Sequence, residues 1–358
     1  MAAYAGYIPV AQTRYLMQGL FSEEKFAQLM ATGVLNLTNI EENIIKRGDA
    51  INLPQAIQID DLTDVDLTLP ASPPAPTRAT TNNAKAPVLR KFISMTATEH
   101  DNIRTDENWL DLFAESAGNK MAKNILVNLN AMLQGVLNVA GLNHLYDATG
   151  VAGTGGASGV LTGSGKTGVT GAMTVQAIRK ATSLLGDQGQ NVKCMLMNSA
   201  VWYDLVWDLT TNYHFSGDMS GGWIETGAMG AAMMGVDSFI ISDDIVPVGV
   251  TESAGSVYYS YLFKNAFGAP DRGLGGPIVF GYQAPPRYKQ FTDSRFSSTQ
   301  FTYGWNQDFV LGVRGMAFGG AALPPALTDI ANSSNWTVAT NDTRNVGVVG
   351  IKSYGGLD

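Results

Sequence analysis

The chain has 358 residues, 45% of them hydrophobic and only 15% charged, with a net charge of −8. That length allows two packed cores, or one core with large excursions. The acidic balance, with no basic run longer than Arg90-Lys91, argues against a protein that grips nucleic acid through a basic stripe, though not against one that surrounds it.

Residues 1–47 read as an N-terminal arm. Its opening, MAAYAGYIPVAQTRYLMQG, has no charged region ahead of an apolar one, so no signal peptide is predicted. No stretch approaches the ~18 apolar residues of a membrane helix. A short helix is expected over 22–30, where Ser22 followed by Glu23 and Glu24 makes a capped start that suits the helix dipole. Residues 48–98 then read as a long β-excursion. INLPQAIQIDDLTDVDLTL alternates like a strand, ASPPAPTRATTNNAKAP is a Pro- and Thr-rich tip, and VLRKFISMTATEH alternates back. An isolated hairpin is marginal in water, so this one is expected to lie on a neighbouring subunit. The 3–4 spacing of Trp109, Leu112, Phe113, Met121, Ile125, Leu129, Leu133, Val136 and Leu137 predicts one helix over 105–139, a rod of ~45 Å. Gly118 costs this helix about 1 kcal/mol relative to Ala, so tertiary packing must hold it. A Gly/Thr/Ser loop is expected over 141–172.

Residues 173–276 read as a compact α+β module, a rigid tile. An amphipathic helix is predicted over 174–185, followed by VKCMLMN as a strand apolar on both faces. Ser199 is expected to cap a second helix that carries Val201, Leu205, Val206 and Leu209, and IISDDIVP closes the module as another strand. Cys194 is the only cysteine, so no disulfide forms within the chain. It reads as a small buried hydrophobe, made in a reducing cytoplasm. From 277 onward long strands are expected, with a polar turn near 292–298 and FVLGVRGMAF as a strand buried on one face. Residues 319–358 read as a polar C-terminal tail with one short strand over 346–351. The low charge content, against about a quarter in ordinary chains, implies that much of the exterior is buried against other chains.

Several motifs invite a chemical reading. In GVLTGSGKTG a phosphate loop would need Gly five places before Gly165; Val160 stands there and Gly159 is one place out. Gly163, Gly165 and Gly168 fit a dinucleotide pattern but follow no strand and precede no acidic partner, so Gly163–Gly168 with Lys166 reads as a solvated loop. His100, His144 and His214 sit in three different elements, with no second ligand at metal spacing. Asp243 and Asp244 are adjacent and read as a strand-end turn rather than an acid/base pair. Asp60, Asp61, Asp64 and Asp66 lack the Gly and the terminal Glu of a calcium loop. Ser199 lacks a Gly-x-Ser-x-Gly elbow. No catalytic, cofactor-binding or metal-binding residue is predicted, and the chain is not expected to be an enzyme.

Taken in order, an arm, a β-excursion, a long helix, an α+β module and returning long strands, the chain resembles the major capsid protein of tailed bacteriophages (Caudoviricetes), the Hong Kong 97-type fold. The segments that carry the resemblance are KCMLMNSAVWYDLVWD, MGVDSFIISDDIVP, YSYLFKNAFG and DFVLGVRGMAF. The resemblance implies an α+β fold in which 48–98 is the extended loop over a neighbour. Residues 99–172 with 277–318 would form the peripheral domain around the 105–139 spine, and 173–276 the axial domain at the five- and six-fold axes. It implies a late structural protein, made in the host cytoplasm, that builds an icosahedral virion shell around double-stranded DNA. Its partners would be further copies of itself in hexamers and pentamers, a portal and a separate scaffolding protein. The scaffold is expected because the family's self-scaffolding members carry a long helical N-terminal region that is absent here. The 319–358 tail looks like an added surface strand or a docking site for a decoration protein. Some members join neighbours through a Lys–Asn isopeptide bond; Lys85 or Lys91 with Asn341 or Asn345 would be the pairs, though no spacing rule supports them. The alternatives are an encapsulin-like compartment, a nucleotide-binding enzyme using Gly163–Gly168, and a secreted adhesin or outer-membrane barrel, the last weakened by the long helix.

Overall fold

The computed structural model describes residues 24–37, 50–53, 84–98, 109–149, 156–158, 171–186, 189, 192–212, 235–251, 255–264, 276–292, 300–320, 324–340 and 343–355. In chain order the elements begin with α1 (Glu24–Ala31), β1 (Leu35–Leu37), β2 (Ala50–Leu53), β3 (Ala84–Thr98), α2 (Trp109–Leu137), β4 (Leu145–Asp147) and β5 (Gly156–Ser158). Then come α3 (Val175–Ser183), β6 (Val192–Met197), α4 (Ser199–Asn212), β7 (Val236–Ile241), β8 (Gly249–Thr251) and β9 (Gly255–Lys264). The last are β10 (Ile278–Thr292), β11 (Gln300–Val313), β12 (Met316–Phe318), α5 (Leu327–Ala331), β13 (Trp336–Val338) and β14 (Val348–Gly355).

Two sheets share one helix. The first has the order β1-β10-β11-β3-β2. Its long strands β10 and β11 run antiparallel from Ile278↔Val313 to Thr292↔Phe301, and β3 follows β11 from Val88↔Val310 to Thr98↔Gln300. The β10 ladder slips on both sides of Ala284, where Pro285 and Pro286 have no N–H to give. The second sheet has the order β5-β4-β14-β9-β6-β7, with β8 on β9. Alternation sorts its side chains to two buried faces: Cys194, Leu196, Tyr261 and Phe263 join one core, while Met195, Met197, Leu262 and Ile351 join another. α2 covers the first face; α3 and α4 cover the second.

α2 spans both sheets. Near its middle Gln307 Nε2 of β11 donates to the Met121 carbonyl (3.2 Å). Near its end Tyr261 Oη of β9 donates to Asn130 Oδ1, and Asn138 Nδ2 donates to Tyr259 Oη (3.2 Å). Glu115, Lys120 and Lys123 reach solvent, but from Asn128 to Leu137 only Gln134 is less than fully buried. The expected amphipathic stripe therefore holds for the first half alone. A helix buried all round needs cover on every side, and the second cover is α5 with the 3-10 turn Ser333–Asn335 and Trp336.

Several expectations need correction. The strand read in IISDDIVP lies earlier, over Val236–Ile241, and Ser242 opens a turn in which its Oγ accepts from Asp244 N–H (3.3 Å). FVLGVRGMAF is not one strand: Gly315, at φ +78, turns the chain between β11 and β12, a conformation glycine adopts without strain. Residues 309–313 are buried on both faces, not one. The 319–358 segment is not an appended surface strand. β14 lies between β9 and β4, and Val348, Val349 and Ile351 are wholly buried. Asp147 takes an ion pair from Lys352 (3.1 Å), and His144 Nδ1–H donates to the Val348 carbonyl (3.0 Å), tying β4 to β14. The polar text of 319–345 disguised an apolar strand beyond it.

Within the predicted arm, α1 and β1 are core elements: Phe26 meets Phe280 edge-on (5.6 Å) and Leu29 is fully buried. β4 and β5 pair into the same sheet as β6, β7 and β9. The predicted excursion is described at its base, where Ala50↔Pro87 to Leu53↔Ala84 pair. Residues 84–87, read as part of the tip, are strand, and Ala86 is buried. The remainder of that tip, and the 292–298 turn beyond Thr292, lie outside the described residues.

Candidate assembly surfaces

The α3–α4 layer is locked from within, which fixes what it turns outward. α3 buries Val175, Ala177, Ile178 and Ala181. Its first turn is capped twice: Thr174 Oγ1 accepts from Ala177 N–H (3.1 Å), and Asp208 Oδ2 of α4 accepts from Val175 N–H (3.1 Å). A carboxylate at a helix N-terminus also suits the helix dipole. α4 opens on Asn198 rather than on Ser199: Asn198 Oδ1 accepts from Ala200 N–H (2.9 Å). The expected Ser199 cap is thus displaced by one residue.

Two outward faces result. On α3, Gln176, Arg179, Lys180 and Ser183 form an exposed polar stripe at 3–4 spacing. On α4, Val201, Asp204, Leu205 and Asp208 point inward, so Tyr203 (71% exposed) and Trp207 (50%) stand on the outer side. Trp202 lies against Phe239 of β7 at 5.3 Å. A third feature is the turn after β7. Asn198 Nδ2 donates to the Ile245 carbonyl (3.0 Å) and Val248 N–H to the Val257 carbonyl (2.8 Å). Pinned at both points, the turn holds Val246 (54%) and Val248 (50%) in water beside exposed Asp243. Burying one such side chain returns about 1.5–3 kcal/mol, so a fixed apolar surface of this kind favours association.

Among the described residues the tempting motifs do not converge on a reaction centre. Asp243 and Asp244 lie in the turn after β7, and His144 is buried on its Val348 partner. Lys85 stands opposite Asn52 and Lys91 opposite Gln307 in the strand registers, while Asn345 lies in the 3-10 turn Thr343–Val346. Gly163–Gly168, His100, His214, Asp60, Asp61, Asp64, Asp66 and Asn341 lie outside the described residues. Among the described residues no group of three or more His, Cys, Asp or Glu could hold a metal ion, and no helix is long and apolar enough to cross a membrane.

Cys194 is fully buried on β6, and burial pushes its thiol up to about 11 from an ordinary 9.0. An acid whose folded pKa is raised binds the proton longer in the native state, so stability falls as pH rises from about 9 toward 11. The native protein is expected to leave a thiol-reactive disulfide dye unreacted at pH 8, and the urea-unfolded chain to consume one equivalent; absorbance of the released thiolate reads both.

Sequence reasoning missed Tyr203 and Trp207. Once Val201 and Leu205 are assigned inward, however, 203 and 207 fall on the far side of the helix, and that signal was present.

No protein-family model matches the chain, and none of the curated proteins does. Its fold does match solved structures. The whole architecture, a spine helix shared by an extended sheet and a second, two-faced sheet, is a Hong Kong 97-type capsid fold. The capsid asymmetric unit of cyanophage Pam1 superposes with a TM-score of 0.54 at 12% identity, covering 94% of this chain and 93% of that one. The capsid of a native GTA particle gives 0.52 at 12% identity over 92% and 91%, and the capsid of Ralstonia phage GP4 gives 0.51 at 13% over 87% and 85%. At such identities the likeness lies in the order and packing of elements, not in shared residues.

Proposed function

We propose that this chain is the structural subunit of an icosahedral virion shell, self-assembled in hexamers and pentamers around double-stranded DNA, and that it performs no catalysis. The observation that carries the reading is the near-complete, end-to-end correspondence of its fold with capsid subunits. The fixed apolar surface and the low charge content agree with it, because obligate interfaces resemble an opened core. The net charge of −8 fits a wall that encloses nucleic acid without gripping it. In this reading 48–98 reaches over a neighbour, the β3–β10–β11 sheet with α2 is the peripheral part, and the sheet under α3 and α4 is the axial part. A separate scaffolding protein, a portal and a decoration protein are its further partners, and the host cytoplasm is its place of assembly.

Electron microscopy of the chain co-expressed with its genomic neighbours tests the reading: closed shells with co-purifying DNA are expected. A monodisperse monomer at high concentration would refute it, and shells that hold a cargo protein instead would make it a compartment. Replacing Tyr203 by Glu is expected to abolish closed shells while leaving the thermal melt nearly unchanged, since exposed substitutions usually stay within about 0.5 kcal/mol. Normal shells from that variant would remove the α4 face from the assembly.

A further inference from the structure

Building on the shell reading, we propose that the turn after β7 is one half of a head-to-tail contact whose other half is the outer stripe of α3 on the next copy of this chain. The two patches lie toward opposite ends of one sheet. β7 is its edge strand, and the turn that follows presents Asp243 and Asp244 beside the exposed Val246 and Val248. α3 packs on β14 and β4, three and four strands further across. Its outer stripe carries Arg179 and Lys180, and exposed Arg344 lies beside Gly186 just past the helix end. One end is acidic and apolar, and the other is cationic.

A ring needs two different surfaces that fit each other, placed so that each copy uses both. A two-fold pairing could also join the turn of each copy to the stripe of the other, but it closes on two copies. The heterologous arrangement makes the contact of Asp243 and Asp244 with Arg179 and Lys180 once per neighbour, and so extends to the rings of the shell reading. Val246 and Val248 then lose water in the same step and supply the non-directional part of the attraction. The charges set the register. Screening shortens their reach to about 8 Å at physiological salt, so they select orientation at close approach rather than from a distance.

Lys193 on β6, beside the start of β7, pairs with Asp237 at 2.7 Å, so the two together add no net charge to that end. Asp243 and Asp244 follow the strand's other end.

Charge reversal tests the contact. Asp243→Lys with Asp244→Lys, Arg179→Glu with Lys180→Glu, and all four together are compared with the parent chain by sedimentation and negative-stain microscopy, with circular-dichroism melts to check folding. Each pair alone is expected to lower the assembled fraction at least about tenfold, and the four together to restore it, because each reversal faces two like charges across the interface. Asp243→Asn with Asp244→Asn, which keeps the turn's size, is expected to raise the protein concentration needed for assembly. Folded pair variants that assemble like the parent would overturn the contact, as would a folded fourfold variant that stays unassembled, or an Asn variant with the parent's threshold. A parent that forms no particles would refute the shell reading and this contact together; parent particles indifferent to all the changes would refute the contact alone.

Discussion

A chain ending at Gly347 is expected not to fold. The residues removed include β14, which sits in the middle of the second sheet and pairs with β9 from Val348↔Phe263 to Gly355↔Ser256 and with β4 through Gly350↔Leu145 to Lys352↔Asp147. Its apolar side chains serve both faces. Val348 belongs to the core under α2, and Val349 and Ile351 to the core under α3 and α4. At about 1.5–3 kcal/mol for each fully buried aliphatic side chain, these three contribute roughly 5–9 kcal/mol. The whole stability of a domain is about 5–15 kcal/mol. Their loss would also leave facing ladder edges open on β9 and β4, and Asp147 would keep its buried carboxylate without Lys352. Unpaired edges template aggregation, and an uncompensated buried charge costs about 3–5 kcal/mol.

The measurement is the soluble fraction of the truncated chain and its far-ultraviolet dichroism. Inclusion bodies, or a signal without cooperative melting, are the expected outcome. A graded check is Ile351→Ala, expected to cost about 2–5 kcal/mol by urea titration while remaining folded. If the truncated chain were soluble and melted like the parent, β14 would be a peripheral strand after all.

Helices were the most legible part of this sequence, because their signals are local. The 3–4 spacing from Phe113 to Leu137 and the amphipathic run over 174–185 are each written within one element, and both helices lie in the structure within a few residues of where they were expected, although the second half of α2 is buried all round. Strands whose partners are distant were less legible. VVGI at 348–351 reads as an ordinary short apolar run; that it bridges β4 and β9 depends on one segment 205 residues away and another much nearer in the chain. The break at Gly315 was missed because FVLGVRGMAF keeps its hydrophobic rhythm across the turn. On the assembly surface, the inward residues of α4 were legible from Val201 and Leu205. Asp204 and Asp208 were not: carboxylates on an inward helix face make sense only once Asp208 is seen capping α3.

The same contrast explains why a fold can persist at 12% identity. What must be kept is apolar alternation on two sheets and one long helix able to serve both. Many residue sets satisfy that, because cores tolerate hydrophobic exchange when volume and pattern are held. The residues free to differ are those facing outward, and in an assembling subunit these decide which copies meet. Arg179, Lys180, Tyr203, Trp207 and the 243–248 turn lie on that outward side, while the core beneath them is an architectural requirement.

Gly135→Ala is expected to destabilise the protein although it improves the helix. Propensity alone favours Ala inside a helix by about 1 kcal/mol. At this position, however, a Cβ would overlap the Ile330 carbonyl oxygen and crowd the Trp336 indole. The carbonyl belongs to α5 and cannot swing aside as a side chain would. Trp336 Nε1–H donates to that same carbonyl (2.7 Å), and the indole packs edge-on against Phe318 at 5.1 Å. The added methyl must therefore lift the whole 327–336 segment off α2, weakening a buried hydrogen bond worth about 0.5–1.5 kcal/mol and opening part of a site whose full loss would cost about 3–5 kcal/mol. The net expectation is a loss of about 2–4 kcal/mol in urea titration, once the propensity gain is set against the lost packing. Trp336→Phe gives the second arm: in that background the Ala substitution is expected to cost clearly less, because the two changes act on one contact. An Ala variant as stable as the parent would show that α5 and Trp336 rest on α2 without holding it. Equal costs in the two backgrounds would show that the carbonyl alone, not the indole, closes the helix in.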